Sequence, residues 1–580
     1  MTGTTYPSRP TPGTEHTVAT SVGRNTMQIS RRFILGAGAA GLTAGALAAC
    51  SGGPNGAGGA GGGKNVPPLT LYPVGANTFQ KNFNPFSPTS LNGSRSFVYE
   101  PLMISTPIQL GNQIPWLAES MEFNEDGNVL TISLRNDVTW SDGEKFDADD
   151  VVFTFLLMRD NPATNLTARP ITDAKKIDDT TAEVTFDGPQ LAYIEAIGNI
   201  QMLPEHIWKD LDPIEAVIEE PIGTGPYVLD QFGEQLYTLK KRDDYWNKEG
   251  FQVQTLQFPA ITGETFVNTL ASGDLDWAGG FVANVEDVFH KADPEHRGTW
   301  LPGAGVVCLI PNDENPLWKD PELKKALSAA IDRQQICDVA IQGYVKPAHP
   351  TGLPKPTFEK AIAEEYKDAA YTYDVDEANR ILDEAGYAKG SDGIRVAPGG
   401  EKLDFTVDLP SDWVDLIDVA TLLGEQFDKV GIKLTPQGIS LESYIEKRGT
   451  GQFVLALGAF GAGNTPFDMY RFMMSSEYKV ESGTVTQNFG RFYREEADKA
   501  LAAYSVAADD EARAAATVDL QKVMVEQMPN LPLYPAPNWF HYNTVNWTGF
   551  PNADDPYALG APFQTPDRLL IVQKLTPTEG

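Results

Sequence analysis

The stretch Asp374–Trp413 reads DVDEANRILDEAGYAKGSDGIRVAPGGEKLDFTVDLPSDW and sets two periodicities side by side. Asp374 stands at a helix N-cap position with Glu377 three residues on, a capping-box pattern. Ile381, Leu382 and Ala385 then form an apolar face that stops at Gly386, a residue suited to closing a helix. Leu403, Phe405, Val407 and Leu409 alternate with polar residues, as a half-buried strand requires. Pro410-Ser411-Asp412-Trp413 follows the strand and precedes another helical pattern. Such alternation of helix and strand predicts α/β lobes rather than a bundle or a sandwich.

The same alternation extends upstream. Leu130, Ile132 and Leu134 predict a strand, with the turn Ser141-Asp142-Gly143 after it. Asp147 is a candidate N-cap with Asp150 in the first turn, and Val151, Val152, Phe155 and Leu156 form the apolar face of a helix. A further helix opens at Asp320-Pro321, where proline fits the first helical position; Leu323, Ala326, Leu327, Ala330 and Ile331 recur at helical spacing, and Gly343 is its expected end. No internal repeat is visible. The 580 residues suffice for two or three domains with their own cores. With 45 Lys+Arg against 78 Asp+Glu the formal charge is −33, the wrong sign for a nucleic-acid partner.

At the N-terminus Ser30-Arg31-Arg32-Phe33 leads into a 17-residue apolar and small-residue run from Phe33 to Ala49, ending Leu47-Ala48-Ala49-Cys50. Four glycines make the run short and weak for a permanent span, so residues 1–49 read as a cleaved export signal, translated from Met1 or Met27. Arg31 and Arg32 resemble a twin-arginine motif and the run to Cys50 a lipobox, which places an acylated Cys50 at the start of the mature protein. Removal of residues 1–49 takes away four Arg and one Glu and leaves 41 basic against 77 acidic residues. Residues 50–66 contain eight glycines and read as a tether between lipid and folded body. Gly36-Ala37-Gly38-Ala39-Ala40-Gly41 and Gly58–Lys64 echo nucleotide-binding loops, but the first lies inside the export signal and the second in a glycine-rich stretch with no strand before it, and both are set aside.

Asn84-Pro85-Phe86, Tyr99-Glu100-Pro101-Leu102, Leu117-Ala118-Glu119-Ser120, Asp149-Asp150-Val151-Val152-Phe153, Gly223-Thr224-Gly225-Pro226-Tyr227, Asp244-Tyr245-Trp246 and Ala330-Ile331-Asp332-Arg333 occur in that order. Over residues 67–580 the chain resembles the family 5 extracellular solute-binding proteins of ABC importers, the group of oligopeptide-, dipeptide- and nickel-binding receptors. The resemblance implies a two-lobe periplasmic-binding-protein-like fold of class II: lobe one with an inserted subdomain at 67–310, lobe two at 311–529, and a C-terminal return to lobe one at 530–580. It also implies an extracytoplasmic receptor, lipid-anchored to the outer face of the cell membrane, that closes over a solute and delivers it to permease subunits. The Gly223–Tyr227 turn is expected to be scaffold, its glycine and proline supplying free and fixed dihedrals in succession.

Peptide binders of this family pair the ligand's α-amino group with an aspartate just after an apolar strand of lobe two. Here the matching strand is Gln452–Gly458, and no acid follows until Asp468. A buried ammonium without a counter-charge is costly, which turns the reading from peptide toward oligosaccharide. Asn464 offers donors and an acceptor suited to hydroxyls. Asp276–Phe281 and Asn464–Asp468 resemble the cello- or β-oligosaccharide-binding branch. Sugar C–H faces pack on aromatic rings, so Trp277, Phe281, Trp413, Phe460 and Trp539 are candidate platforms. A peptide receptor of the same family remains the alternative, and a secreted glycosidase a remote one.

No H-E-x-x-H or G-x-S-x-G motif occurs, and Pro294 between His290 and His296 argues against a two-histidine helix site. Catalytic residues, metal ligands and cofactors are accordingly not expected. Cys308 falls in an alternating strand and Cys337 on a predicted helix; core placement is expected, with a disulfide between them as the alternative in an exported protein.

Overall fold

The computed structural model describes residues 66–579 except 74, 166, 412, 481–482 and 508. The export segment, Arg31, Arg32, Cys50 and nearly all of the glycine tether therefore lie outside the described residues. Helix Val375–Glu384 starts at Asp374, whose carboxylate accepts from the Glu377 N–H at 2.9 Å. Only that half of the expected capping box forms, because Arg380 takes both oxygens of Glu377. The box at Asp147 and Asp150 is complete and opens helix Ala148–Asp160. The helix that starts at Asp320-Pro321 stops at Ala330 rather than near Gly343: Ile331 is extended, and Asp332 caps a new helical turn at Arg333–Gln335. Cys337 follows in a π-helical turn, Ile336–Ala340, and Cys308 in strand Gly303–Pro311; both are buried and free, so no disulfide joins them.

Two large sheets organise the body. The first has seven strands in the order Arg297–Trp300, Phe540–Asn543, Trp277–Ala278, Leu69–Tyr72, Thr255–Pro259, Leu236–Lys241 and Tyr227–Gly233. The second has five, in the order Lys433–Ile439, Asp404–Pro410, Leu455–Gly461, Gly303–Pro311 and Leu531–Pro537. A separate four-stranded antiparallel sheet, Ala118–Phe123, Val129–Leu134, Thr181–Phe186 and Ile171–Asp178, packs against helix Ala148–Asp160. Strand Val129–Leu134 buries alternate residues, as its sequence predicts. The chain leaves the seven-stranded sheet at Trp300, joins the five-stranded one at Gly303, and returns between Pro537 and Phe540. Those crossings lie some eight to ten residues outside the expected borders at 310 and 529, so strands Gly303–Pro311 and Leu531–Pro537 belong to the second sheet and not to the first lobe. An apolar strand such as Gly303–Pro311 reads the same whichever sheet receives it; pairing with Leu455–Gly461 and Leu531–Pro537 decides its place.

The recognisable motifs of the first lobe meet in its core. Glu100 is buried, and its Oε1 accepts from the Trp116 indole and from the Tyr245 hydroxyl, each at 2.6 Å. Arg242, also buried, donates to the carbonyls of Thr139, Trp140, Gly223, Thr224 and Gly225 and pairs with Asp244 at 3.0 Å. Buried networks of this kind rigidify a core, although Glu100 Oε2 and the Thr224 hydroxyl are left without a partner.

Burial pushes the Glu100 carboxyl up to about 7 from its ordinary 4.5. Between those values the folded protein holds a proton the unfolded chain has released. The resulting stability is fully present below about 4.5 and is lost as pH rises through about 7. Glu100→Gln keeps the acceptor oxygen and cannot ionise. Calorimetry near pH 5 and pH 8 should show the wild type losing more stability than the variant over that interval; equal losses would contradict the assignment.

Candidate functional site

Strands Asp404–Pro410, Lys433–Ile439 and Leu455–Gly461 run parallel, so their carboxyl ends form one rim of the second sheet. Loops at such a rim are free of ladder hydrogen bonds, which makes it the usual ligand side of an open α/β sheet. Beyond Gly461 the chain turns through Gly463 at φ 66°, and an added Cβ there would lie 2.3 Å from the Asp468 Cβ. Asp468 holds the turn: its Oδ2 accepts from the Asn464 N–H at 3.1 Å, the Thr465 N–H at 3.2 Å and the Thr465 hydroxyl at 3.1 Å. Its Oδ1 lies 3.7 Å from Arg471, and Thr465 caps helix Pro466–Met474. The first acid after the strand is thus buried and occupied by its own loop. The Asn464 side-chain amide makes no hydrogen bond among the described residues and lines a cavity between the lobes.

That cavity measures about 260 Å³ and is walled on the first-lobe side by Phe86, Arg95, Thr154, Met158 and Asn199. Among the described residues no Asp or Glu lines it. A second inter-lobe cavity of about 470 Å³ sets Leu191 and Glu195 against Thr465, Pro466 and Tyr504. Glu195 adjoins Ala196 of the first cavity and Thr465 adjoins Asn464, so the two cavities lie side by side along the lobe contact. Burial pushes Glu195 up to about 7, with Asp468 adding to the rise. Tyr193 and Phe467 touch across the cleft with ring centroids 5.3 Å apart, and the Arg169 guanidinium sits 3.5 Å from the Tyr193 ring centre. A larger cavity of about 790 Å³, around Arg333 and Tyr371, borders the lobe crossings and is separate from this cleft.

Of the six residues expected to bind ligand, only Asn464 lines this first chamber. Trp277 is fully buried and its indole N–H donates to the Gly560 carbonyl at 2.7 Å, so it is a core residue and not a platform. The cause is its strand, which lies inside the sheet between Leu69–Tyr72 and Phe540–Asn543. Phe460 is likewise buried, packed on Phe489 at 5.9 Å, and is corrected in the same way. Phe281 and Trp539 do come together, ring centroids 5.2 Å apart, and Trp539 also meets Tyr344 at 5.9 Å. They stand at the second crossing between the sheets and outside the 260 Å³ chamber. Trp413 is 43% exposed at the start of helix Val414–Asp428, on the same sheet rim as Asn464. Arg95, Thr154 and Asn199 carried no signal of their own in the sequence; the motifs Asn84-Pro85-Phe86 and Asp149–Phe153, which lie near the first two, did stand out.

A two-lobe α/β body with a cleft between the lobes is the architecture the ordered motifs imply. The profile "Bacterial extracellular solute-binding proteins, family 5 Middle" matches residues 112–482. The chain belongs to this family. Protein XP55 of Streptomyces lividans is 33% identical over 433 residues, covering 71% of this chain and 74% of that relative. A periplasmic oligopeptide-binding protein of an oligopeptide ABC transporter from Thermotoga maritima is 25% identical with a TM-score of 0.81, covering 88% of this chain and 99% of its own. Its mannohexaose-bound structure matches at 26% identity and a TM-score of 0.75, with the same coverage. The oligopeptide-binding protein AppA from Bacillus subtilis, in complex with a nonapeptide, shares the fold at 20% identity and a TM-score of 0.70 over 88% of this chain and 99% of that one. As a family 5 member the chain is an extracytoplasmic solute-binding protein of the ABC-importer type.

Proposed function

We propose that this family 5 protein captures an oligomeric solute, an oligosaccharide in the favoured reading, in the cleft at Asn464 and delivers it to membrane permease subunits without transforming it. The observation that carries the reading is the first chamber: polar and apolar side chains line it together, no carboxylate does among the described residues, and an unspent amide closes it from the second lobe. Hydroxyl-rich rings match amide and threonine groups, whereas a ligand ammonium would find no carboxylate among the lining residues of this chamber. Trp413, on the same rim, would serve rings that extend beyond the chamber. Export through Arg31 and Arg32 and anchoring through Cys50 belong to the same reading. The crossings at 301–302 and 538–539 are the proposed hinge, with Phe281, Trp539 and Tyr344 packed beside it.

Glu195 favours a second reading. A half-buried carboxyl in the adjoining chamber could take the α-amino group of a peptide. Titration calorimetry with manno- and β-gluco-oligosaccharides and with a mixed peptide pool separates the two. Heat from the sugars alone, with Asn464→Ala weakening binding roughly tenfold, or about 1.4 kcal/mol, is the expected result. Peptide binding that Glu195→Gln abolishes and Asn464→Ala leaves intact would replace it. In either case a ligand touching both lobes favours the closed state, so small-angle scattering should record a smaller radius of gyration at saturation. An unchanged radius with a tight ligand would remove the clamp.

A further inference from the structure

Resting on that reading of the cleft, we propose that the solute carries a carboxylate and that Arg95 of the first lobe and Asn464 of the second bind it. Arg95 lines the 260 Å³ chamber. Its Nε donates to the Pro85 carbonyl at 3.1 Å and its Nη2 to the same oxygen, which leaves both Nη1 hydrogens unspent. Behind it Arg568, on helix Asp567–Lys574, is 1% exposed; its Nη2 donates to the Arg95 carbonyl and its Nη1 to the Pro562 carbonyl at 3.4 Å. Among the described residues neither guanidinium has a carboxylate within ion-pair distance. Asp567, although next in sequence, turns its Oδ2 to the Leu559 N–H at 2.7 Å.

A buried and a partly buried cation thus stand one behind the other in a protein of net charge −33, and the burial of Arg568, with repulsion from Arg95 added, lowers its affinity for its proton, to about 9. Unpaired buried charge is among the most costly arrangements in a fold. An anion in the chamber relieves it, and an arginine fork meets a carboxylate through short charge-assisted hydrogen bonds. The remaining donors fit the same role. Thr154 spends its hydroxyl donor on the Asp150 carbonyl and Asn199 one of its two amide hydrogens on the Ser105 carbonyl, whereas the Asn464 amide is free. A carboxylate held by Arg95 and Asn464 would join the lobes, so charge recognition and closure become one event. A sugar acid and a peptide C-terminus present the same group.

The test uses the full mature chain, at fixed ionic strength, with trigalacturonate against its methyl ester and a tripeptide against its C-terminal amide. The acid of the cognate class should bind at least tenfold more tightly than its neutral partner. Arg95→Gln should abolish that preference, and Arg95→Lys should restore part of it; the pair that responds identifies the source of the carboxylate. Equal affinity for acid and neutral forms, or a preference that survives in Arg95→Gln, overturns the proposal. Citrate provides a reading independent of any oligomer. If no oligomer binds but citrate raises the melting temperature of the wild type and not of Arg95→Gln, the anion site stands and the oligomer reading falls. If citrate does not distinguish them either, the anion site falls too.

Discussion

Replacing Cys50 with alanine is expected to move the protein entirely from the membrane fraction to the soluble one. Each acyl methylene buried in a bilayer contributes about 0.8 kcal/mol, and a single chain holds a protein only marginally, so anchoring by a multiply acylated cysteine is all-or-none when the thiol is removed. Among the described residues no helix is long and apolar enough to cross a membrane. Fractionation followed by immunodetection reads the result directly, and protein that stays with the membrane after Cys50→Ala would end the lipid-anchor assignment. The double substitution of Arg31 and Arg32 by Lys is expected to stop export, because it keeps both charges and removes only the planar guanidinium groups that distinguish the motif. Normal export of that variant would discard the twin-arginine route and leave Cys50 untouched.

Gly225→Ala should be among the most damaging single methyl additions in the body. An added Cβ at Gly225 would lie 2.2 Å from the Phe97 carbonyl oxygen, and one at Gly223 would lie 2.1 Å from that of Val98. The strand start cannot retreat, since the Gly225 N–H donates to Val98 O at 2.8 Å, the Tyr227 N–H to Phe97 O at 3.1 Å, and Arg242 grips the carbonyls of Gly223, Thr224 and Gly225. Overpacking against immovable backbone belongs with the severe mechanisms, so a loss of roughly 3–5 kcal/mol or failure to fold is expected in chemical denaturation. Gly143→Ala is the fitting contrast. Its Cβ would meet nothing within 4 Å, although its φ of 93° is left-handed, so a loss of about 1 kcal/mol is expected there. Similar midpoints for the two variants would refute the argument. Gly223 and Gly225 are therefore required by close backbone approach; neither has the positive φ that a free-dihedral reading of the turn suggests.

Local chemistry was legible in the sequence wherever a residue's role is settled by its near neighbours. Asp147, Asp320 and Asp374 cap their helices because a short acceptor beside free N–H groups works at that range. The alternation in Val129–Leu134 and Asp404–Pro410 marked strands for the same reason, and the ordered motifs identified the family, whose fold carries two lobes. The proposed export signal and anchor rest on linear order alone and lie outside the described residues. Tertiary structure decided the rest. Trp277 and Trp413 are both aromatic residues at ends of short apolar segments, yet one is sealed inside a seven-stranded sheet and the other stands on a rim, because strand neighbours arriving from residues 69–72 and 540–543 cover only the first. Arg95 and Asn464, 369 positions apart, face one chamber only because the chain crosses twice between its sheets and brings the lobes together. Charge balance is a sum over spatial neighbours, so the unpaired state of Arg95 and Arg568 could be read only after folding had placed every carboxylate.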